Sequence, residues 1–213
     1  MCFSAPASFI AGAALSAAGV ATIRMTSRKA EIALAMIPLL FGVQQLTEGM
    51  IWLSFRNDSQ LPNATLTFVY SLFSHVLWPI YIPFAVGLLE TVPLRKKAVA
   101  ACQFAGAAVG LYLFYIIVQF PVTARVLEKH IAYDSPHFYI VPVMLFYLTA
   151  TCASSLFSSS EIIQVFGALS FATFMAAYAI HVATFFSVWC FFAAILSFII
   201  YYYFRQARSG ALA

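Results

Sequence analysis

The sequence predicts an all-α integral membrane protein in which residues 1–213 form one domain, a bundle of seven transmembrane helices. Hydrophobic residues make up 63% of the chain and charged residues only 8%, whereas soluble domains carry roughly 25% charged residues. Seven apolar segments approach the length of about 20 residues that a helix needs to cross a bilayer. These two observations predict no separate soluble domain, and the scattered basic residues do not indicate nucleic-acid binding.

The seven predicted spans follow one another closely along the chain. In order, they cover about residues 6–23, 32–55, 64–89, 98–120, 138–157, 162–186 and 187–204. Almost no connecting sequence separates the last two, so their common boundary is the least well defined. The N-terminus carries no basic stretch before its first apolar segment, which we expect to be an ordinary first span and not a cleavable signal peptide.

The basic residues predict the orientation of the bundle, because cytoplasmic loops carry an excess of lysine and arginine. Eight of the eleven basic residues lie in the loop after the first helix, the loop after the third helix and the C-terminal tail. These are alternate connections, so they share one side of the membrane. We therefore expect the N-terminus outside and the C-terminus in the cytoplasm.

Small residues and prolines predict how some of the helices pack. Gly106 and Gly110 form a GxxxG pair on the fourth helix, and Gly12 with Ser16 forms a similar pair on the first, where small side chains allow a close approach. Pro79 follows the polar face of the third helix, so this helix is expected to be irregular and to line a site.

Residues 121–136 form the longest connection and are expected on the outer side. The alternation of apolar and charged residues there suggests a short amphipathic surface helix. Such a helix could cover an outward-facing cavity or lie as an ordinary interfacial helix.

Glu48 is the residue around which a function is expected, because a carboxylate inside a membrane span is costly and is a functional candidate by default. At helical spacing, Phe41, Gln45, Glu48 and Trp52 lie on one stripe, with Gln44 beside it. We expect this stripe to face the interior of the bundle, with Gln44 and Gln45 orienting the Glu48 carboxylate.

Other costly polar residues are expected at a similar depth in the outer half of the membrane. His75 lies on the face of the third helix that also carries Ser71 and Ser74, and His181 lies near the outer end of the sixth helix, one turn from Tyr178. Cys190 and Cys2 are also expected on the outer side. The inner half carries almost no such residues, and this asymmetry indicates an outer-side site.

A metal site is the first hypothesis for these residues, since a carboxylate with two imidazoles suits zinc. The candidate ligands are Glu48, His75 and His181, with Glu48 alternatively a catalytic general base in a membrane-embedded hydrolase. Further ligand or supporting candidates are Gln44, Gln45, Ser71, Tyr178, Cys190 and Cys2. A lipidic or other small-molecule ligand would reach the site from outside.

Three other functions stay open. Glu48 and the histidines could form a proton relay or transport site, although no internal repeat is visible. His75 and His181 could hold a haem, although their expected depths differ by roughly 8 Å. The polar residues could also be the hydrogen-bonded core of a structural subunit in a membrane complex. A retinal receptor is not expected, because all four lysines lie outside the predicted spans, where none could form the Schiff base.

Three motifs carry a family resemblance. The opening MCFSA, the stretch FGVQQLTEGMIW around Glu48 and the stretch VWCFFAAILS around Cys190 resemble a group of uncharacterised bacterial multi-pass membrane proteins. The resemblance implies a bacterial inner membrane and about seven helices, but no activity. Ser71 and His75 also faintly resemble the serine and histidine pair of seven-helix ceramidase-like hydrolases, whose HxxxH motif has no counterpart near His181.

Overall fold

A computed structural model describes residues 4–57, 60–127, 130–180 and 184–208 of the chain. We number its long helices α1 to α7 in chain order and its strands β1 and β2. The helices are α1 (Ala5–Arg24), α2 (Lys29–Arg56), α3 (Gln60–Leu89), α4 (Pro93–Gln119), α5 (Val141–Leu156), α6 (Glu161–Ile180) and α7 (Phe185–Arg208). The strands are β1 (Thr123–Leu127) and β2 (His130–Asp134).

Within the described ranges, six helices are long and apolar enough to cross a membrane, which supports the predicted multi-pass membrane bundle. The exception is α5, a shorter apolar helix at the place of the fifth predicted span. Predicted and observed boundaries differ by a few residues; for example, α4 begins at Pro93 instead of near residue 98. Proline suits this first helical position because it has no N–H to leave unbonded.

Helices α1 and α2 approach each other closely along a line of small residues. A Cβ atom placed on Gly42 would lie 2.5 Å from Ser16 Oγ, and one on Gly12 would lie 2.8 Å from the Leu46 side chain. The predicted role of Gly12 and Ser16 as small packing residues is therefore confirmed. The close contact holds α2 so that its opposite face, which carries Glu48, turns into the bundle.

The third helix is irregular near Pro79, as its sequence predicted. Residues Leu72–Leu77 form a π-helical turn, directly before Pro79. A proline supplies no N–H to the preceding turn, and π-helical insertions are frequent at functional sites. Helix α4 packs against this region through Gly106 and Gly110, where an added Cβ would collide with the Pro79 carbonyl and with Ile80, respectively.

The connection at residues 121–136 differs from its prediction. The expected amphipathic surface helix is wrong, because β1 and β2 pair there as an antiparallel hairpin in the register Thr123↔Asp134 to Leu127↔His130. Most of β2 is buried, and Ile131 and Ala132 are completely so. The apolar residues that suggested one face of a helix lie instead on two paired strands, where Val126 of β1 is opposite Ile131 of β2. We call the end of the bundle that carries this hairpin the hairpin end.

At the opposite end, the Glu90 side chain hydrogen-bonds to two connections of the chain, the one between α3 and α4 and the one between α5 and α6. Its side chain, 3% exposed, accepts hydrogen bonds from the backbone N–H groups of Thr91 and Val92 and from the N–H and hydroxyl of Ser159. Burial alone would raise the pKa of Glu90, but these hydrogen bonds outweigh it and lower the pKa below its ordinary value. We call this end of the bundle the Glu90 end.

Candidate functional site

Glu48 lies at the hairpin end of α2 and is completely buried. Its Oε1 accepts a hydrogen bond from the Ser187 hydroxyl at 2.8 Å and a longer one from the Tyr133 hydroxyl at 3.3 Å. Ser187 belongs to α7 and Tyr133 to β2, so the carboxylate joins three segments that are far apart in the sequence. The prediction that the Glu48 stripe faces the bundle interior is in accord with this burial.

Cys190 is buried on α7, and Gln44, Glu48 and Tyr70 are buried near it. Gln44 Oε1 accepts a 2.7 Å hydrogen bond from the indole N–H of Trp78. Gln44 therefore links α2 to α3, whereas the sequence predicted that it would orient Glu48.

Gln45 is fully buried on the same stripe as Glu48, one turn earlier in the helix. Among the described residues, neither the oxygen nor the nitrogen of its amide has a hydrogen-bond partner. The indole nitrogen of Trp52, one turn after Glu48, is buried and unpartnered in the same way. A buried amide normally finds a protein or water partner, so these unpartnered groups beside Glu48 are unusual.

His75 forms a second polar centre in the π-helical turn of α3, and it too is completely buried. Its Nδ1 lies 2.8 Å from the hydroxyl of Ser74, and its Nε2 lies 2.9 Å from the hydroxyl of Ser135. The ring stacks on Phe186, with 4.3 Å between the ring centroids. Both nitrogens of His75 are thus engaged, and the ring orientation is fixed.

The two hydroxyl contacts of His75 are compatible with either neutral tautomer, because each hydroxyl can donate or accept a hydrogen bond. In the tautomer with the proton on Nδ1, the ring donates to the Ser74 hydroxyl and Nε2 accepts a hydrogen bond from the Ser135 hydroxyl.

The two centres share the same two supporting segments. Tyr133 and Ser135 are two residues apart, so along an extended chain they lie on one face, and one contacts Glu48 while the other contacts His75. At the start of α7, Ser187 donates to Glu48 and its neighbour Phe186 stacks on His75. The hairpin and the start of α7 therefore fix Glu48 and His75 together at the hairpin end.

Several predicted site residues lie elsewhere or outside the described residues. His181 and Cys2 fall outside the ranges that the structure describes. The Ser71 hydroxyl bonds to the Thr67 carbonyl within α3. Tyr178 is 37% exposed and packs its ring against Phe174 and Phe185.

Sequence reasoning did not identify Tyr133, Ser135 or Ser187 as site residues. Tyr133 and Ser135 were missed because their segment was assigned to a surface helix, although a 16-residue connection is long enough to form a structure of its own. The β-branched and aromatic residues on either side of two charged residues at positions 128–129 were the available signal for a hairpin. Ser187 carried no signal of its own.

In the described part of the chain, no group of three or more histidine, cysteine, aspartate or glutamate side chains is close enough to hold a metal ion. A metal or a haem iron on Nε2 of His75 would have to displace the Ser135 hydroxyl.

Toward the Glu90 end, a narrow cavity is lined mainly by aliphatic and aromatic side chains, among them Leu34, Ile37, Ile82 and Val86, and by Ser155. A relay across the membrane would need polar groups or water along this path.

Comparison with known proteins adds a family but no activity. A model of the family of unknown function DUF6629 matches residues 1–213, the whole chain. No curated protein and no solved structure matches the chain.

Proposed function

Since the chain belongs to the DUF6629 family, whose description assigns no activity, we propose a function from the site itself: a membrane-embedded hydrolase in which Ser135 is the nucleophile and His75 the base. The observation that supports it is the pair of contacts on the His75 ring, with Ser135 Oγ 2.9 Å from Nε2 and Ser74 Oγ 2.8 Å from Nδ1. A nucleophile within hydrogen-bond reach of a base that a third group orients is the general arrangement of an activated serine.

The proposed reaction is acyl transfer to water. The Ser135 oxygen attacks the carbonyl carbon of an ester or amide, and its proton passes to Nε2 of His75. The bond to the leaving group breaks, and the leaving group takes that proton from Nε2. Water then attacks the acyl-serine, gives one proton to Nε2 and releases the acid, and the proton returns to Ser135.

The third member, Ser74, is neutral, so it orients the imidazole without stabilising the imidazolium as a carboxylate does. We therefore expect slow turnover and choose covalent labelling as the test. Glu48 acts as a positioning residue: it binds Tyr133, which sets the place of Ser135 two residues later. Ser135 is 5% exposed, so the reaction requires the hairpin to move aside.

A fluorophosphonate probe, which phosphonylates activated serines, tests the proposal on the full chain in membranes. We expect the probe to modify Ser135, as located by mass spectrometry, and labelling to be lost in Ser135→Ala and in His75→Gln. Ser170→Ala is the matched control, because Ser170 is an equally buried serine beside Trp189. Absence of label on Ser135 in folded protein, or equal labelling in His75→Gln, would reject the hydrolase.

His75→Gln could fail by unfolding, so a second variant separates the two causes. In Ser135→Cys the nucleophile becomes a thiol, whose alkylation by iodoacetamide should be faster with His75 present than in the Ser135→Cys/His75→Gln pair. Thermal unfolding of each variant reports whether the fold is kept. Equal alkylation rates in two folded proteins would show that His75 does not activate residue 135.

The orientation belongs to the same proposal. We infer seven spans, with α5 as the fifth, the hairpin end outside and the Glu90 end in the cytoplasm of a bacterial inner membrane. The bias of eight of the eleven basic residues toward the Glu90 end supports this orientation. Helix α5 is about 24 Å long at 1.5 Å per residue, somewhat short of the roughly 30 Å hydrocarbon thickness.

A second candidate is metal binding by Glu48 and Cys190, which are both buried, with Cys190 one helical turn after the Ser187 that hydrogen-bonds to Glu48. A carboxylate and a thiolate are both zinc ligands, and His181 is the sequence-predicted third. Metal analysis of protein purified without chelators should then find a stoichiometric metal that is lost in Glu48→Gln and Cys190→Ser. His75→Gln should keep it, because both nitrogens of His75 are engaged by serines. Metal-free wild-type protein would rule this candidate out.

A further inference from the structure

A separate cavity opens at the hairpin end, next to the site but lined by other residues. It has a volume of about 400 Å³ and lies between the end of α2, the first turns of α3 and the segment that enters β1. Ligand sites in proteins typically measure about 300–1,000 Å³, so the cavity has the size of a small-molecule site. All eleven of its lining residues are uncharged.

The lining divides into an apolar and a polar part. Phe55, Phe68 and Val122 contribute apolar surface, and Ser54, Asn63 and Thr67 contribute hydroxyl and amide groups. Asn63 donates a 2.8 Å hydrogen bond to Ser54 Oγ across the gap between α3 and α2, which fixes its amide. The cavity thus offers neutral hydrogen-bonding groups next to a hydrophobic wall.

The hydroxyl of Thr67 is the observation that indicates a ligand in this cavity. Other helical threonines of the chain, such as Thr47 and Thr151, donate their hydroxyl to the carbonyl four residues earlier. The Thr67 hydroxyl makes no hydrogen bond in the described structure, although Thr67 is completely buried and lines the cavity. An unused buried hydroxyl costs free energy unless another molecule bonds to it.

We propose that this cavity binds an uncharged amphiphile with a hydroxyl-bearing head group, of the monoacylglycerol type. The position at the end of two membrane-crossing helices places the cavity at the lipid–water boundary, where such a molecule concentrates. Its hydroxyls meet Thr67 and Asn63, and the start of its acyl chain meets Phe55 and Phe68. A phosphate head group is disfavoured because none of the described side chains that line the cavity is cationic and could offset its desolvation.

The test uses a monoacylglycerol whose acyl chain carries a diazirine and an alkyne, crosslinked by light to the full chain in nanodiscs. We expect saturable labelling that maps to residues 54–68 and 121–124. Unlabelled monoacylglycerol should compete about tenfold better than lysophosphatidic acid, because the phosphate of the latter loses its hydration in the cavity without a cationic partner. Equal competition by the two lipids, or label spread evenly over the lipid-facing helices, would overturn the proposal.

Thr67→Val separates binding from folding. Valine has the same shape without the hydroxyl, so stability should stay equal or rise, while lipid labelling falls about fivefold through the loss of one hydrogen bond. Thr65→Val on the exposed side of α3 is the matched control and should leave the labelling unchanged. Unchanged labelling in Thr67→Val would contradict the assignment. The result does not depend on whether Ser135 is catalytic, since neither variant touches the His75 centre.

Discussion

Ser135 Oγ lies 2.9 Å from His75 Nε2, although 60 positions separate the two residues in the sequence. The contact exists because Ser135 follows directly on β2, which is buried, while His75 occupies the π-helical turn of α3. Ser135 alone would not suggest chemistry. Their contact turns a buried histidine into a base held against a hydroxyl.

We expect the hydrogen bond from the Tyr133 hydroxyl to Glu48 to stabilise the packing of the hairpin on the bundle. Tyr133→Phe removes the hydrogen bond to Glu48 but keeps the ring, which stacks on Tyr70 with 4.5 Å between centroids. We expect a loss of about 1–3 kcal/mol in the free energy of unfolding, because a buried acceptor loses one donor. Thermal unfolding in detergent measures it, with the 38%-exposed Tyr112→Phe as control. Equal effects of the two variants would show that the Glu48 contact contributes nothing.

Gly106 should be required for the contact between α3 and α4. In Gly106→Ala the new methyl group would collide with the Pro79 carbonyl, and overpacking of this kind costs about 1–3 kcal/mol. In Gly87→Ala it would meet only Val99 at an ordinary 3.4 Å, so the better helix propensity of alanine should leave stability equal or higher. Unfolding midpoints of the two variants should therefore move in opposite directions. A stable Gly106→Ala protein would contradict the close packing.

Glu90 should make stability depend on acid pH. Its pKa in the folded protein is lowered from the ordinary value of 4.5, so the carboxylate form stabilises the fold above that value. This contribution is lost as the pH falls through 4.5 toward the lower folded pKa. Unfolding curves between about pH 7 and about pH 3 should thus show a smaller acid loss in Glu90→Gln than in wild type. Parallel curves would mean that the hydrogen bonds at Glu90 do not favour its charged form.

The orientation can be tested with single cysteines in a Cys2→Ser background. The cysteines at 102, 152 and 190 are at most 3% exposed and should stay unreactive. Asp134→Cys on the hairpin should react with a membrane-impermeant maleimide in intact cells. Lys96→Cys at the Glu90 end should react only after permeabilisation. The reverse pattern would invert the proposed topology.

The sequence alone predicted much of the bundle because membrane spans have a strong local signal. The apolar segments, the irregularity before Pro79 and the small residues at Gly12 and Gly106 each depend on a few neighbouring residues. The burial of Glu48 followed from its polar stripe. These features correspond to the α1–α2 and α3–α4 contacts in the structure.

The residues that hydrogen-bond to Glu48 and His75 could not be predicted from such local signals. Ser135 and Ser187 have no local signal, since their role depends on which distant residue they meet. The hairpin was mistaken for a helix because apolar and charged residues in a short segment fit both periodicities. The predicted ligand set of Glu48, His75 and His181 stays a prediction, with His181 outside the described residues and His75 bonded to two serines.

The proton position on His75 tests the central claim most directly. Nitrogen-15 NMR of histidine-labelled protein, with His75→Gln used to assign the signal, distinguishes the two neutral tautomers and the imidazolium. We predict a neutral ring with the proton on Nδ1 and Nε2 as acceptor, and a shift of the Nε2 signal in Ser135→Ala. A proton on Nε2, or an Nε2 signal that does not respond to Ser135→Ala, would contradict the assignment of His75 as the base for Ser135.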